Sequence, residues 1–310
     1  MKIVFMGTPE FAVASLNVLF NSEHEITGVI TAPDRPAGRG KKLKSSPVKE
    51  FAINNNLKLF QPINLKDTSF VDKLKELKAD LFIVVAFRML PEIVWSIPPK
   101  GTINLHASLL PNYRGAAPIN WAIINGEKIT GITTFFIEKN IDAGKIIMQK
   151  EILIDNKNLG ELHDELMIKG ADLIIKTLIN IEHSSIVPIS QDQLNLTNIK
   201  PAPKINKHTS RINWDISNDQ ITNLIRGMSP FPGAWTKIIL DEKELQFKIF
   251  KSEKSNLSLK PGEIFVNNKE FHIGCSIGSI NLAEVQLEGK KRMSIDQFIS
   301  GARITKFNCI

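Results

Sequence analysis

The stretch Asn104-Leu105-His106-Ala107-Ser108-Leu109-Leu110-Pro111-Asn112-Tyr113-Arg114-Gly115 places an amide and an imidazole two residues apart, directly after Gly101-Thr102-Ile103. If that apolar run ends a strand, the two-residue period puts the Asn104 and His106 side chains on one side of the backbone. An amide N–H and an imidazole N–H aimed at one point suit a carbonyl oxygen that gains negative charge, which is the demand of acyl-type transfer. Asp142 follows a second apolar run, Ile132 to Ile137, in the string Asn140-Ile141-Asp142-Ala143-Gly144. A carboxylate at the end of a neighbouring strand can hold His106 in its protonated form and accept a proton from an attacking amine, directly or through water. These residues come without a nearby Ser or Cys elbow, so direct transfer without a covalent enzyme intermediate is expected. A lone histidine is more often a satisfied strand-end residue; the adjacent Pro111 and Arg114-Gly115 loop and the aspartate favour chemistry here. The other histidines (His24, His163, His183, His208 and His272) form no H-x-x-x-H pattern, and no metal is expected.

The elements that must hold these residues follow from pattern. Lys2 to Met6 reads as a short strand stopped by Gly7-Thr8-Pro9, with Thr8 as the cap and Pro9 as the first residue of a helix running toward Phe20. Ile26 to Ile30 and the continuous apolar run Leu81 to Ala86 read as further strands, the latter buried on both faces. Helical periodicity covers Phe70 to Lys78, Pro118 to Asn125 and Asn158 to His183, the last with a break near Gly170. Strands alternating with helices predict an α/β fold, a doubly wound, mostly parallel sheet of Rossmann-like kind. Such sheets bind ligands beyond their carboxyl ends near a reversal of strand order, where Asn104 and His106 are placed. Gly7-Thr8-Pro9 lacks the other glycines of a dinucleotide loop and the lysine of a Walker loop.

A polar connector with Pro188, Pro201 and Pro203 divides the chain into a domain over 1–187, a linker over 188–207 and a domain over 208–310. In the last, Ser217 to Gln220 has capping-box spacing and opens a helix ending at Gly227. Short strands follow at Trp235 to Leu240, Leu245 to Phe250, Glu263 to Val266, Phe271 to Cys275 and Ile280 to Val285. They predict a small OB-like β-barrel.

The 310 residues are 43% hydrophobic and 23% charged, an ordinary globular balance. The two cysteines, Cys275 and Cys309, lie far apart and form no C-x-x-C pair, and no apolar stretch approaches a membrane span. A cytoplasmic monomer is expected. Net charge is +7, and residues 201–310 carry 16 Lys/Arg against 11 Asp/Glu. Most of the N-terminal excess lies in one segment, Arg35, Arg39, Lys41, Lys42, Lys44 and Lys49, where Asp34 is the only acid before Glu50. A solvated basic surface and a polyanionic partner both account for this charge.

Asn104, His106 and Asp142, with Ser-Leu-Leu-Pro-Asn-Tyr-Arg-Gly-Ala-Ala-Pro between them, resemble the active site of the formyltransferases that use 10-formyltetrahydrofolate. Phe5-Met6-Gly7-Thr8-Pro9-Glu10-Phe11 and Pro33-Asp34-Arg35-Pro36-Ala37-Gly38-Arg39-Gly40-Lys41-Lys42-Leu43 resemble, more narrowly, those that act on methionyl-initiator tRNA. The resemblance covers nearly the whole chain. It implies 10-formyltetrahydrofolate as co-substrate, Asn104, His106 and Asp142 as catalytic residues, and Ser108, Leu109, Leu110, Pro111, Phe87 and Met89 beside the folate. It also implies tRNA contacts from Arg35, Arg39, Lys41, Lys42 and Lys44, with neither a metal nor a protein partner. In one segment the chain departs from the family pattern: Ala86-Phe87-Arg88-Met89-Leu90-Pro91 stands where an Ala-Tyr-Gly and a slightly longer run to Leu-Pro occur. A formyltransferase for small amines and a non-catalytic RNA-binding protein are the two rival readings. If the basic surface serves tRNA, affinity should fall with salt at a log–log slope of about −0.7 to −0.9 per phosphate neutralised, measured by filter binding across an ionic-strength series. A salt-independent affinity contradicts that surface's role.

Overall fold

The computed structural model describes residues 1–37, 42–194, 197–240, 243–267, 269–301 and 308–309. They fall into two units, one formed by Met1–Pro118, Thr130–Leu153 and His163–Pro201, the other by Ile119–Ile129, Ile154–Leu162 and Ala202–Ile310. The first is built on seven strands: β1 (Lys2–Gly7), β2 (Glu25–Ile30), β3 (Leu59–Phe60), β4 (Leu81–Val85), β5 (Thr102–His106), β6 (Ile129–Phe136) and β7 (Ile146–Leu153). Their order across the sheet is β7-β6-β5-β4-β1-β2-β3. Pairings from β3 to β5 are all parallel, whereas β6 runs antiparallel to β5. The α/β expectation holds, and the order reverses between β1 and β4, two strands from β6. His106 therefore ends the strand next to the reversal, not a strand at it.

Buried on both faces, β4 has no exposed residue, as its unbroken β-rich run predicts. Val4, Met6, Phe82 and Val84 pack with Phe70, Val71 and Leu74 from the helix Thr68–Glu76, whose Asp67 cap accepts the Phe70 N–H at 3.1 Å. The helix Glu10–Phe20 starts one residue later than the sequence suggests. Pro9 itself is the N-cap, extended at φ −81° and ψ 177°, and Thr8 makes no cap; the Pro9 carbonyl instead accepts Ala12 N–H at 2.9 Å. Gly7 is required by packing, because a Cβ there would lie 2.6 Å from Ala12 Cβ and 3.1 Å from the Val85 carbonyl oxygen. The helix Leu159–Glu182 runs unbroken through Gly170. A glycine costs only about 1 kcal/mol against alanine in a helix, and here its bare Cα admits Leu105, whose Cδ2 would stand 2.7 Å from any Cβ. Leu105 faces this helix, so by alternation Asn104 and His106 face the other side of the sheet.

In the second unit the predicted capping box is present: Ser217 accepts from Gln220 N–H and Gln220 reaches back, opening the helix Asn218–Met228. An antiparallel sheet follows, formed by β8 (Ala234–Leu240), β9 (Lys243–Ser255), β10 (Ile264–Val266), β11 (Phe271–Gly274), β12 (Ser279–Leu287), β13 (Met293–Ser294) and β14 (Asn308–Cys309). Its order is β10-β11-β12-β9-β8-β14, with β13 added on β12. Register shifts around Lys251 bend β9 against β12, and the sheet curls into an OB-like half-barrel. Phe247, Phe271 and Phe298 fill its interior with ring centroids 5.1–6.1 Å apart. Burial pushes the Cys275 thiol up to about 11, which makes it a small core residue with little thiolate.

Replacing Gly7 with alanine should force the first helix off β1. A stability loss of about 1–3 kcal/mol is expected from overpacking, read from thermal melting; an unchanged melting temperature contradicts the close approach.

Candidate active site

Asn104 sits between Val84 of β4 and Phe135 of β6, and His106 closes β5 opposite Thr133. The chain then enters a tight loop that is tied down from two sides. Thr133 of β6 uses its whole hydroxyl on it, donating to the Ser108 carbonyl at 2.7 Å and accepting Leu110 N–H at 3.2 Å. Its second lone pair takes Gln149 Nε2–H at 2.9 Å, and the same nitrogen donates to the Leu110 carbonyl at 2.9 Å. Ser108 Oγ donates to the Asn112 carbonyl at 2.7 Å. Backbone and side-chain bonds to Lys200 hold the loop's far end, with Tyr113 N–H on the Lys200 carbonyl and Lys200 N–H on Asn112 Oδ1.

This bracing holds Tyr113 at φ +62°, a left-handed conformation that costs a non-glycine residue energy and persists only where its surroundings impose it. The strained turn aims the Tyr113 carbonyl at His106 Nε2, 2.8 Å away. A carbonyl only accepts, so Nε2 carries a proton and the ring is fixed in orientation. Nδ1 is then the nitrogen left for chemistry. It faces Asp142 Oδ2 at 3.8 Å, beyond hydrogen-bond length, with side chains 8% and 12% exposed respectively. Asp142 is itself left-handed, at φ +51°, and the same Oδ2 accepts Gly115 N–H at 2.9 Å. The Asn104 carboxamide is half-buried and makes no hydrogen bond among the described residues, so both of its donors are available. Together these groups offer an amide donor, an oriented imidazole nitrogen and a carboxylate.

The folate-side residues of the sequence reading divide. The Ser108 hydroxyl is spent inside its loop, and Leu110 packs with Phe135 and Ile146. Leu109 is half-buried and Pro111 buried, leaving the loop's backbone edge and Leu109 to meet a ligand. Phe87 packs on the core whereas Met89 stands out, 74% exposed, at a cavity of about 590 Å³ lined by Ile63–Lys66 and Arg88–Ile93. Arg88, the departure from the family pattern, ties this segment to another: its guanidinium donates to the Pro62 carbonyl and, at 2.8 Å, to the Ile63 carbonyl. Burial, then the charge of nearby Arg35, pushes the Arg88 guanidinium below its ordinary range.

Arg35 lies on a short antiparallel ladder, Arg35–Ala37 against Lys42–Lys44. Arg39 and Lys41 lie outside the described residues. The ladder's base is clamped where Lys49 Nζ meets Asp34 Oδ2 at 2.5 Å and Gln61 Nε2 meets Asp34 Oδ1 at 2.9 Å. The lysine bond, then the glutamine bond, holds the Asp34 carboxyl below the usual carboxylate range. Among the described residues no group of three His, Cys, Asp or Glu side chains is placed to hold a metal ion, and no helix is long and apolar enough to cross a membrane.

A mostly parallel sheet followed in the chain by a curled antiparallel half-barrel is the architecture of the formyl transferase class, and the family comparisons place the chain there. Residues 1–178 match the formyl transferase family and residues 204–303 its C-terminal domain. The sequence is 51% identical to the methionyl-tRNA formyltransferase of Flavobacterium johnsoniae, covering 97% of this chain and 96% of that one. It is 47% identical to that of Bacteroides thetaiotaomicron, covering 98% and 97%. The fold matches the sugar 3N-formyl transferase WlaRD, solved with dTDP and 5-N-formyl-THF, at TM-score 0.67 and 23% identity over 94% of this chain and 99% of that one. This chain belongs to the methionyl-tRNA formyltransferase family, whose formyl donor is a formyl-tetrahydrofolate.

Sequence reasoning missed Thr133, Gln149 and the Tyr113 carbonyl. Thr133 lay in a run read only as strand, and the exposed-buried alternation of Gln149's strand was passed over. Thr133→Val keeps the shape but strands Ser108 O and Leu110 N–H. The expected cost is about 1–3 kcal/mol per unsatisfied group, with faster amide hydrogen exchange at Leu110; unchanged protection contradicts the bracing role.

Proposed function

We propose that this chain transfers the formyl group of 10-formyltetrahydrofolate to the α-amino group of methionyl-initiator tRNA, in the cytoplasm, in support of translation initiation. The observation that carries the reading is the fixed His106 ring, with Nδ1 toward Asp142 and the open Asn104 amide on the same face of β5. Relatives of this chain at about half identity bear the name of that transfer.

In this reaction the neutral amine attacks the formyl carbon, and a new C–N bond forms as the bond to folate N10 breaks. Charge collects on the formyl oxygen. Asn104 Nδ2–H and the Nδ1–H of protonated His106 donate to it, and because the Tyr113 carbonyl fixes the imidazole in advance, that donor needs little reorganisation during the reaction. Asp142 orients His106 and takes the proton that the amine loses, while the electron pair of the breaking bond goes to N10, which then takes up a proton so that tetrahydrofolate leaves neutral at that atom. The 3.8 Å gap between Asp142 and His106 suits transfer through a water or through the amine itself. Ser108–Pro111, Phe87 and Met89 border the folate. Arg35, Arg39, Lys41, Lys42 and Lys44 engage the acceptor end of the tRNA, and the basic second unit its backbone.

The test is formyl transfer to charged initiator tRNA measured beside glycinamide ribonucleotide and an amino sugar nucleotide. Robust turnover on a small amine alone overturns the proposal. With tRNA, Asn104→Ala and His106→Ala are each expected to lower kcat by roughly 10²–10³, the worth of one oxyanion donor. Asp142→Asn is expected to lower it by roughly 10²–10⁴, the range of a general base. A variant that keeps wild-type turnover at saturation loses its assigned role.

A further inference from the structure

Gln191 lies in the stretch read from sequence as connector, yet it is 4% exposed and all its hydrogen-bonding positions point at the segments that make the active site. Its Nε2 donates twice, to the Asp142 carbonyl at 2.9 Å and to the Gly144 carbonyl at 2.8 Å. Its Oε1 accepts twice from one guanidinium, Arg114 Nη2 at 2.6 Å and Nε at 3.1 Å. Arg114 directly precedes Gly115, whose N–H holds the Asp142 carboxylate. The backbone carries Gln191 to this place. Ile189, two residues earlier, exchanges both backbone hydrogen bonds with Ile146 at 2.8 Å each.

A primary amide has two donors and two acceptor lone pairs, and Gln191 uses them all within one closed ring of contacts. The ring links the 113–115 loop, which fixes both His106 and Asp142, to the 142–144 loop, which carries Asp142. Left alone, these loops belong to different connections of the sheet, and both hold left-handed residues, Tyr113 and Asp142. Something outside them must supply the restraint. No isosteric side chain does so, because leucine offers no hydrogen bond and glutamate no donor, and asparagine is one methylene short.

We propose that Gln191 is a positioning residue that sets the distance between Asp142 and His106. This rests on the formyl-transfer reading for its kinetic test but not for its spectroscopic one. Misplacing a reacting group by ~1 Å costs about 10²-fold in rate, so Gln191→Ala is expected to lower kcat roughly ten- to hundredfold with KM for both substrates unchanged. Gln191→Glu keeps the volume and the Arg114 contact but loses both donors, and is expected to fall as far. In an Asp142→Asn background the same substitutions should cost little more, since residues that act as one unit are non-additive. Independently of any activity, the His106 imidazole ¹⁵N resonances should move in Gln191→Ala in the direction they move in Asp142→Asn. A kcat kept by either variant, losses that multiply in full in the Asp142→Asn background, a rise in KM alone, or unmoved His106 resonances in a folded variant overturns the proposal. A wild-type enzyme inactive on tRNA overturns only the transfer reading, and the resonances still decide the role of Gln191.

Discussion

An imidazole has two nitrogens that cannot both be left to chance, and in this protein the bond from His106 Nε2 to the Tyr113 carbonyl settles them. With one nitrogen committed to a pure acceptor, the direction in which the other points is fixed. That bond depends on Tyr113 being held in an unfavourable backbone region, and Thr133, Gln149 and Lys200 help to hold it there by bonding polar groups of its loop. The cost of one strained residue is thus spread over many ordinary hydrogen bonds, each made by a residue that touches no reacting atom.

The sheet underneath supplies rigidity. Strand β5 lies between β4 and β6, so its end cannot swing, and Leu105 is locked on its other face by the helix that passes Gly170. The change of direction at β6 also matters. An antiparallel neighbour places Thr133 opposite His106, within reach of the loop that leaves β5. A parallel neighbour in the same position would run on past that edge, and Thr133's contacts would fall to another residue.

The sequence-level reading reached furthest where the signal is periodic or local. Asn104 and His106 were legible from the two-residue period of a strand end, Asp142 from its place after the next apolar run, and the Ser217–Gln220 box from spacing alone. The Arg35–Lys44 ladder was not, because Pro36 and the glycines read as loop and two three-residue strands carry no period. Thr8 as a cap was a one-residue error of the kind propensity cannot resolve, since proline fits both the N-cap and the first turn. The break at Gly170 failed for a tertiary reason: the glycine answers to Leu105, 65 positions away in the chain. Gln149 and Gln191 sit in stretches whose polarity looks like solvent exposure, and only their partners show otherwise.

The composition of the second unit bears on how the chain is made. Besides Ala202–Ile310 it takes in Ile119–Ile129 and Ile154–Leu162, where Trp121 Nε1–H finds the Pro203 carbonyl at 2.7 Å and Arg226 finds the Asp155 carbonyl at 2.8 Å. During synthesis from the N-terminus these two early segments leave the ribosome well before the residues they will pack against. For that interval Ile124, which packs against the core of the second unit, and Asn120, whose amide donates to the Gly227 carbonyl, lack their native partners. Biogenesis of this protein thus contains a waiting period fixed by topology, and its length in seconds scales with the number of codons between residues 124 and 228.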